Sequence, residues 1–286
     1  MSDRSVSGGD ISQSMIVTGD GNRVALQFGA AAQHAIPVER KQIRGPDRRR
    51  RQGGDVRRRE LDVLDPVRGR LPLLGREKEL ADLQAWLEDD VDVSVHALIG
   101  SAGTGKTRLA IGLCAAIDGA DALGSEWVAG FLSPSELDRV ADIHATADFD
   151  WAQKTLLVID YAGQGHAALG RWLDQLAARA LKSKLRILLL ERQAPEGYGW
   201  WHELSGSALG SAANRRDLFR QFEPHALPGL HDIEVRRQVV SAALAETARL
   251  HGGEAEKVVP AAGADDGFDA RLAEPGFDNA LSLVMA

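Results

Sequence analysis

From Val93 onward two hydrophobic patterns alternate along the chain. Continuous apolar runs occur at VSVHALI (93–99), EWVAGFL (126–132), TLLVID (155–160), LRILLL (185–190) and FEPHAL (222–227). Between them lie stretches with helical spacing, at about 106–118, 134–146, 166–181 and 201–220. Apolar runs without polar alternation predict strands covered on both faces, and intervening helices predict parallel crossovers. The expectation is an α/β fold of three layers, α/β/α, around a parallel sheet.

The flanks carry patterns of their own. In LPLLGREKELADLQAWLEDD (71–90), Leu80, Leu83, Trp86 and Leu87 recur at helical spacing after a Gly75-Arg76-Glu77 turn, which predicts an amphipathic helix. DIEVRRQVVSAALAETARL (232–250) predicts another, with Val235, Val239, Ala242 and Leu250 near one face. The last residues, ALSLVMA, break off inside an apolar pattern, which suggests a piece of a longer protein. At the other end, SMIVTGDGNRVALQF (14–28) brackets a Gly-Asp-Gly-Asn turn with apolar residues. This predicts a β-hairpin. Two strands alone are marginal in water, so the hairpin is expected to pair with another copy or another chain, or to be a mobile tail.

Charge changes the picture in one place. The chain's net charge is −7, yet Arg40 to Arg59 holds ten basic residues against Asp47 and Asp55. Such a block repels itself and buries nothing, so a solvated linker is the simpler reading. An arm touching nucleic acid or an acidic partner is the other, although no aromatic residues interleave the arginines. Cys114 is the single cysteine, which excludes an intrachain disulfide and a cysteine-held zinc; its setting, IGLCAAI, predicts a packing role. The N-terminus lacks a secretory pattern and no apolar run approaches the roughly 18 residues of a membrane span. A cytoplasmic protein with no membrane contact is expected.

The candidate chemistry centres on GSAGTGKT, Gly100 to Thr107. It fits the phosphate-loop pattern G-x-x-x-x-G-K-[ST] and lies between an apolar strand and a helical stretch, as that motif requires. Gly100, Ser101, Ala102, Gly103, Thr104 and Gly105 would present backbone NH groups to phosphate oxygens. Lys106 would supply a cation for the β and γ phosphates, Thr107 a hydroxyl for Mg2+, and the helix N-terminus its partial positive charge. Arg108, next in the chain, completes the nucleotide-binding set, with ATP or GTP as ligand. LLVID ends in Asp160, the candidate magnesium acid, acting through water. Tyr161 follows it and cannot serve as a base at neutral pH. LRILLL runs into Glu191 and Arg192; if that strand lies between those of the phosphate loop and Asp160, Arg192 faces the γ phosphate. Lys106, Asp160 and Arg192 form the candidate catalytic set. Trp200 and Trp201 read as packing or as a protein interface.

Taken together, LLGREKEL, GSAGTGKT, LLVIDYAG, LRILLLER and LPGLHDIEVRRQVVSAAL resemble the STAND class of signal-transduction P-loop NTPases, relatives of the AAA+ proteins that include NACHT and NB-ARC switches. The resemblance covers residues 71–286. It implies a base-binding role for Gly75 and Arg76, a sensor role for Arg192, and a helical lid beginning after Leu230. Four segments follow: a β-hairpin over 1–35, an Arg-rich linker over 36–70, an NTPase core over 71–228 and the start of the lid over 229–286. DNALSL resembles a lid segment that usually reads Asn-Pro-Leu, with Ala280 replacing the proline. The winged helix and sensor repeats usual in such proteins are missing from this sequence. The resemblance implies a nucleotide-dependent switch with slow hydrolysis, and protein partners or self-association through the NTPase domain; the Arg- and Ala-rich composition suggests a bacterium. Rival readings are a small-molecule kinase, a nucleic-acid-associated ATPase using residues 40–59, and a non-hydrolysing nucleotide-bound scaffold.

Overall fold

The computed structural model describes residues 15–17, 23–28, 34–39, 63–66, 71–117, 126–145, 151, 153–205, 215–221, 223–251 and 258–285. The Arg-rich stretch 40–59 falls outside them. Three antiparallel strands, β1 (Met15–Val17), β2 (Arg23–Phe28) and β3 (His34–Glu39), precede five parallel ones: β4 (Val93–Ile99), β5 (Trp127–Phe131), β6 (Lys154–Asp160), β7 (Leu185–Glu191) and β8 (His225–Ala226). They form one sheet in the order β1-β2-β3-β5-β6-β7-β4-β8. The helices are α1 (Glu77–Glu88), α2 (Lys106–Ile117), α3 (Leu137–Ala145), α4 (His166–Ala177), α5 (Gly199–Ser205), α6 (Ile233–Leu250), α7 (Asp266–Ala273) and α8 (Ala280–Met285).

The continuous apolar runs form strands because both faces of the sheet are covered. Side chains alternate across a strand, so Leu157, Ile159, Ile187 and Leu189 pack on α3, α4 and α5. Leu156, Val158, Leu188 and Leu190 pack on α1 and α2 on the other side. Cys114 is half-buried against that second layer, as a packing residue. Trp200 and Trp201 are buried on the first layer, Trp201 edge-on to Phe219 with ring centroids 5.0 Å apart. Arg186 of β7 is fully buried and donates to the carbonyls of Trp86, Asp89 and Val91, tying the C-terminal end of α1 to the sheet. Its five donors suit carbonyls that a helix end leaves unpaired.

A smaller core holds the C-terminal helices together. Leu230, Val239, Leu272 and Leu283 are buried there, with Leu74 packed against them from the chain before α1. Arg236 braces this unit by donating to the carbonyls of Leu230 and Leu272.

Several expectations need correction. The hairpin of β1 and β2 forms, but within this chain it neither stands alone nor trails free. A third strand, β3, pairs along β2 and reaches β5 at Glu39 and Phe131. Gly130 makes the approach feasible, since a methyl group there would stand 2.9 Å from Cβ of Val38. Pro37 masked this strand in the sequence, because proline removes a ladder donor. The helix expected over 201–220 appears as α5 at its start, but its far end does not continue as helix: Phe219 bridges β4 at Val95, where Val95 N donates to Leu218 O and Arg220 N to Val95 O. The open edge of β4 competes for that backbone and wins. The strand expected over 222–227 shortens to the two residues of β8, and the helix expected over 166–181 ends at Ala177.

Candidate functional site

The site forms where the parallel strands end. β7 lies between β4 and β6, with Ile99 paired to Glu191 and Asp160 to Leu190. The carboxyl ends of three strands therefore deliver the loop after Ile99, Asp160 and the Glu191-Arg192 pair to one place. This is the order on which the placement of Arg192 depended.

The loop turns from β4 into α2 through two left-handed glycines, Gly103 at φ 83° and Gly105 at φ 97°. Any other residue would be strained there. Lys106 is buried, and its Nζ donates to the carbonyls of Gly100 at 2.5 Å and Ser101 at 3.0 Å. Burial lowers its pKa, while the charges of Asp160 and Glu191 act in the other direction. Thr107 Oγ1 donates to Asp160 Oδ2 at 2.9 Å, and the other carboxylate oxygen accepts from Tyr161 N. A hydroxyl and a carboxylate converging beside the loop are the hard oxygen donors that Mg2+ prefers, so the residues fit that ion.

A cavity of about 330 Å³ opens beside the loop, within the size of small-molecule sites. The predicted residues Arg76, Ala102, Gly103, Thr104, Gly105, Lys106, Thr107, Arg108, Asp160 and Arg192 all line it. Gly100 and Ser101 stand behind the lining as acceptors for Lys106. Gly75 also stands outside it: at φ 63° it passes under α6, where a methyl would lie 2.5 Å from Val235 Cγ1. Arg76 is 3% exposed and clamps backbone, donating to Thr104 O at 3.1 Å and Pro228 O at 2.7 Å. Arg108 donates to Leu71 O, and its buried Nε and Nη1 find no acceptor among the described residues. Unmet guanidinium donors on a cavity wall suit a polar or anionic ligand. Arg192 is exposed at the rim.

Other lining residues carry little sequence signal. Leu64 and Pro66, inside the stretch read as linker, join Leu73, Leu230, Val239 and Val284 in an apolar wall. From the C-terminal helical unit, Asn279 Nδ2 donates to Ala102 O at 2.7 Å and Leu281 N to Gly103 O at 3.3 Å. The resemblance of DNALSL to a lid segment was the one clue to that contact. Glu191 also lines the cavity, its Oε2 accepting from Gly163 N at 3.0 Å. Gly163 O in turn contacts His166 Nδ1, and His166 Nε2 meets Glu203 of α5 at 2.7 Å.

No family model matches the sequence, and no curated protein matches it either. Among solved structures it is similar to a replication initiator DnaA bound to AMPPCP and single-stranded DNA, at 13% identity and TM-score 0.38, over 69% of this chain and 56% of that one. It is similar also to AMPPCP-bound DnaA from Aquifex aeolicus, at 14% identity and TM-score 0.35, over 65% and 55%. A third likeness is to the HORMA:CdnC:Trip13 complex of E. coli MS115-1, at 16% identity and TM-score 0.36, over 70% and 76%. The chain spans just over half the length of the two DnaA chains. What defines the class is the chain's own strand order and phosphate loop: this is an α/β/α P-loop NTPase fold. Among the described residues no helix is long and apolar enough to cross a membrane.

Proposed function

We propose that the chain binds ATP or GTP with Mg2+ and acts as a cytoplasmic regulatory NTPase of STAND type, whose bound nucleotide sets the contact between core and lid and is hydrolysed slowly. The observation that carries this reading is the lid seated on the phosphate loop: Asn279 and Leu281 bond to Ala102 and Gly103, the backbone that would hold phosphates. A ligand entering there alters the very surface on which the lid rests, and a difference in contacts between two states is what a switch needs.

The roles divide by chemistry. Gly100 to Thr107 cradle the phosphates with backbone NH groups and the Lys106 ammonium, and Arg108 offers its unmet donors to the ligand. Thr107 and Asp160 hold Mg2+, which neutralises phosphate charge when bound. Arg192 faces the terminal phosphate from the rim. The apolar wall takes the base, and Arg76 holds the loop to the chain before the lid. The core over 71–228, the lid from 229 and self-association or protein partners belong to the same proposal.

The deciding experiment is ATP binding and single-turnover hydrolysis with Mg2+, comparing the native chain with Lys106→Ala and Arg192→Ala. Slow hydrolysis lost in both, with nucleotide still bound by Arg192→Ala, is the expected result. No binding by the native chain, or hydrolysis indifferent to Arg192→Ala, overturns the reading.

A further inference from the structure

A hydrolysing site needs a group that orients the attacking water and takes its proton, and the position after Asp160 holds Tyr161 instead of an acid. The neighbouring strand supplies one. Asp160 continues the face of β6 that carries Val158, toward α2, whereas Glu191 continues the face of β7 that carries Leu189, toward α4. The two carboxylates thus reach the cavity from opposite faces of the sheet, and the charges of both act on the Lys106 ammonium.

We propose that Glu191 is the carboxylate that orients and deprotonates the water attacking the terminal phosphate, replacing the acid missing beside Asp160. The inference rests on the hydrolytic reading of the site. Two backbone donors fix the Glu191 carboxylate in place, since Oε2 accepts from Gly163 N at 3.0 Å and Oε1 from Arg192 N at 2.7 Å. A carboxylate has about four lone-pair positions, so each oxygen keeps one for water. In the step, the water oxygen bonds to the terminal phosphorus while the bond from that phosphorus to the bridging oxygen breaks, its electron pair passing to the diphosphate. The water proton passes to Glu191 and then to the released phosphate.

Gly163 belongs to the same device. A methyl there would stand 2.9 Å from Glu191 Oε2 and 3.3 Å from Trp200 Cγ, so Gly163→Ala displaces the carboxylate without removing it.

The experiment compares the native chain, Glu191→Gln and Gly163→Ala by ATP affinity, melting temperature and single-turnover hydrolysis with Mg2+. Expected for Glu191→Gln is ATP affinity within about threefold of native and hydrolysis slower by about 100-fold or more, the scale of general-base catalysis. Gly163→Ala is expected to slow hydrolysis by about tenfold, an intermediate loss on the same scale. Native-like hydrolysis in Glu191→Gln overturns the role of Glu191 and leaves the hydrolytic reading standing. A native chain that binds ATP without hydrolysing it overturns both the role and the hydrolysis, but not nucleotide binding. Should Glu191→Gln fail to fold, Gly163→Ala decides: unchanged hydrolysis in that variant overturns the role.

Discussion

Thr107 and Asp160 are 53 positions apart in the chain and meet through a 2.9 Å hydrogen bond between hydroxyl and carboxylate. The bond joins the first turn of α2 to the end of β6 and sets two oxygen ligands at one point. Asp160→Asn keeps the shape and a weaker acceptor but removes the charge. It is expected to leave the fold intact and to abolish most of the tightening of ATP binding by Mg2+, about tenfold or more for a lost charge-assisted contact. Titrating ATP with and without Mg2+ checks this.

The contact between the C-terminal helices and the phosphate loop is testable at three positions. Asn279→Ala removes the bond to Ala102 O and the cap on Leu281 N, with an expected loss of about 1–2 kcal/mol in stability and faster nucleotide release. Gly103→Ala is expected to do more, because its methyl would meet Asn279 Oδ1 and Leu281 Cβ at 2.5 Å from a left-handed backbone. Ala280→Pro is expected to be nearly silent. Ala280 is the first residue of α8, where proline's missing donor costs nothing and its φ is already suitable. Melting curves and nucleotide release rates for the three variants check the order.

Tyr161 is the one non-glycine with positive φ among the described residues, at 58°. The residue is 48% exposed, so little packing repays the backbone cost. Tyr161→Gly is expected to be more stable than Tyr161→Ala by about 1 kcal/mol, the left-handed penalty of a β-carbon. Denaturant midpoints of the pair measure it, and equal midpoints would refute the strain.

Two buried histidines predict acid sensitivity. Burial drives the pKa of His96 down to about 3, helped by Arg220 and His225, and that of His144 down to about 3, helped by Arg179. Both stay neutral in the folded chain between pH 6.5 and 3, whereas the unfolded chain protonates them below 6.5. Stability is therefore complete above pH 6.5 and declines as pH falls toward 3, by about 2 kcal/mol per histidine at pH 5. His144 lies among Trp151 and Trp172, and His144→Phe is expected to remove its share of the decline. Urea midpoints at about pH 7.5 and pH 5 for both chains check the sign and the size.

What the sequence by itself determined is what neighbouring residues encode. GSAGTGKT announces a phosphate loop because each residue answers a local demand: positive φ at Gly103 and Gly105, a cation at Lys106, a hydroxyl at Thr107. The apolar runs of β4 to β7 announce a covered sheet because burial on both faces erases alternation. Tertiary structure alone decided what depends on pairings between distant segments. β7 fell between β4 and β6, so Glu191 and Arg192 arrived beside the loop. Asn279 reached Ala102 across 177 positions, Leu64 and Pro66 closed the cavity wall from a stretch read as linker, and β3 found β5 despite Pro37. Periodicity and propensity act over a few residues, whereas these contacts are chosen by the packing of whole layers, where the alternatives differ by sums over many weak contacts that no short stretch contains.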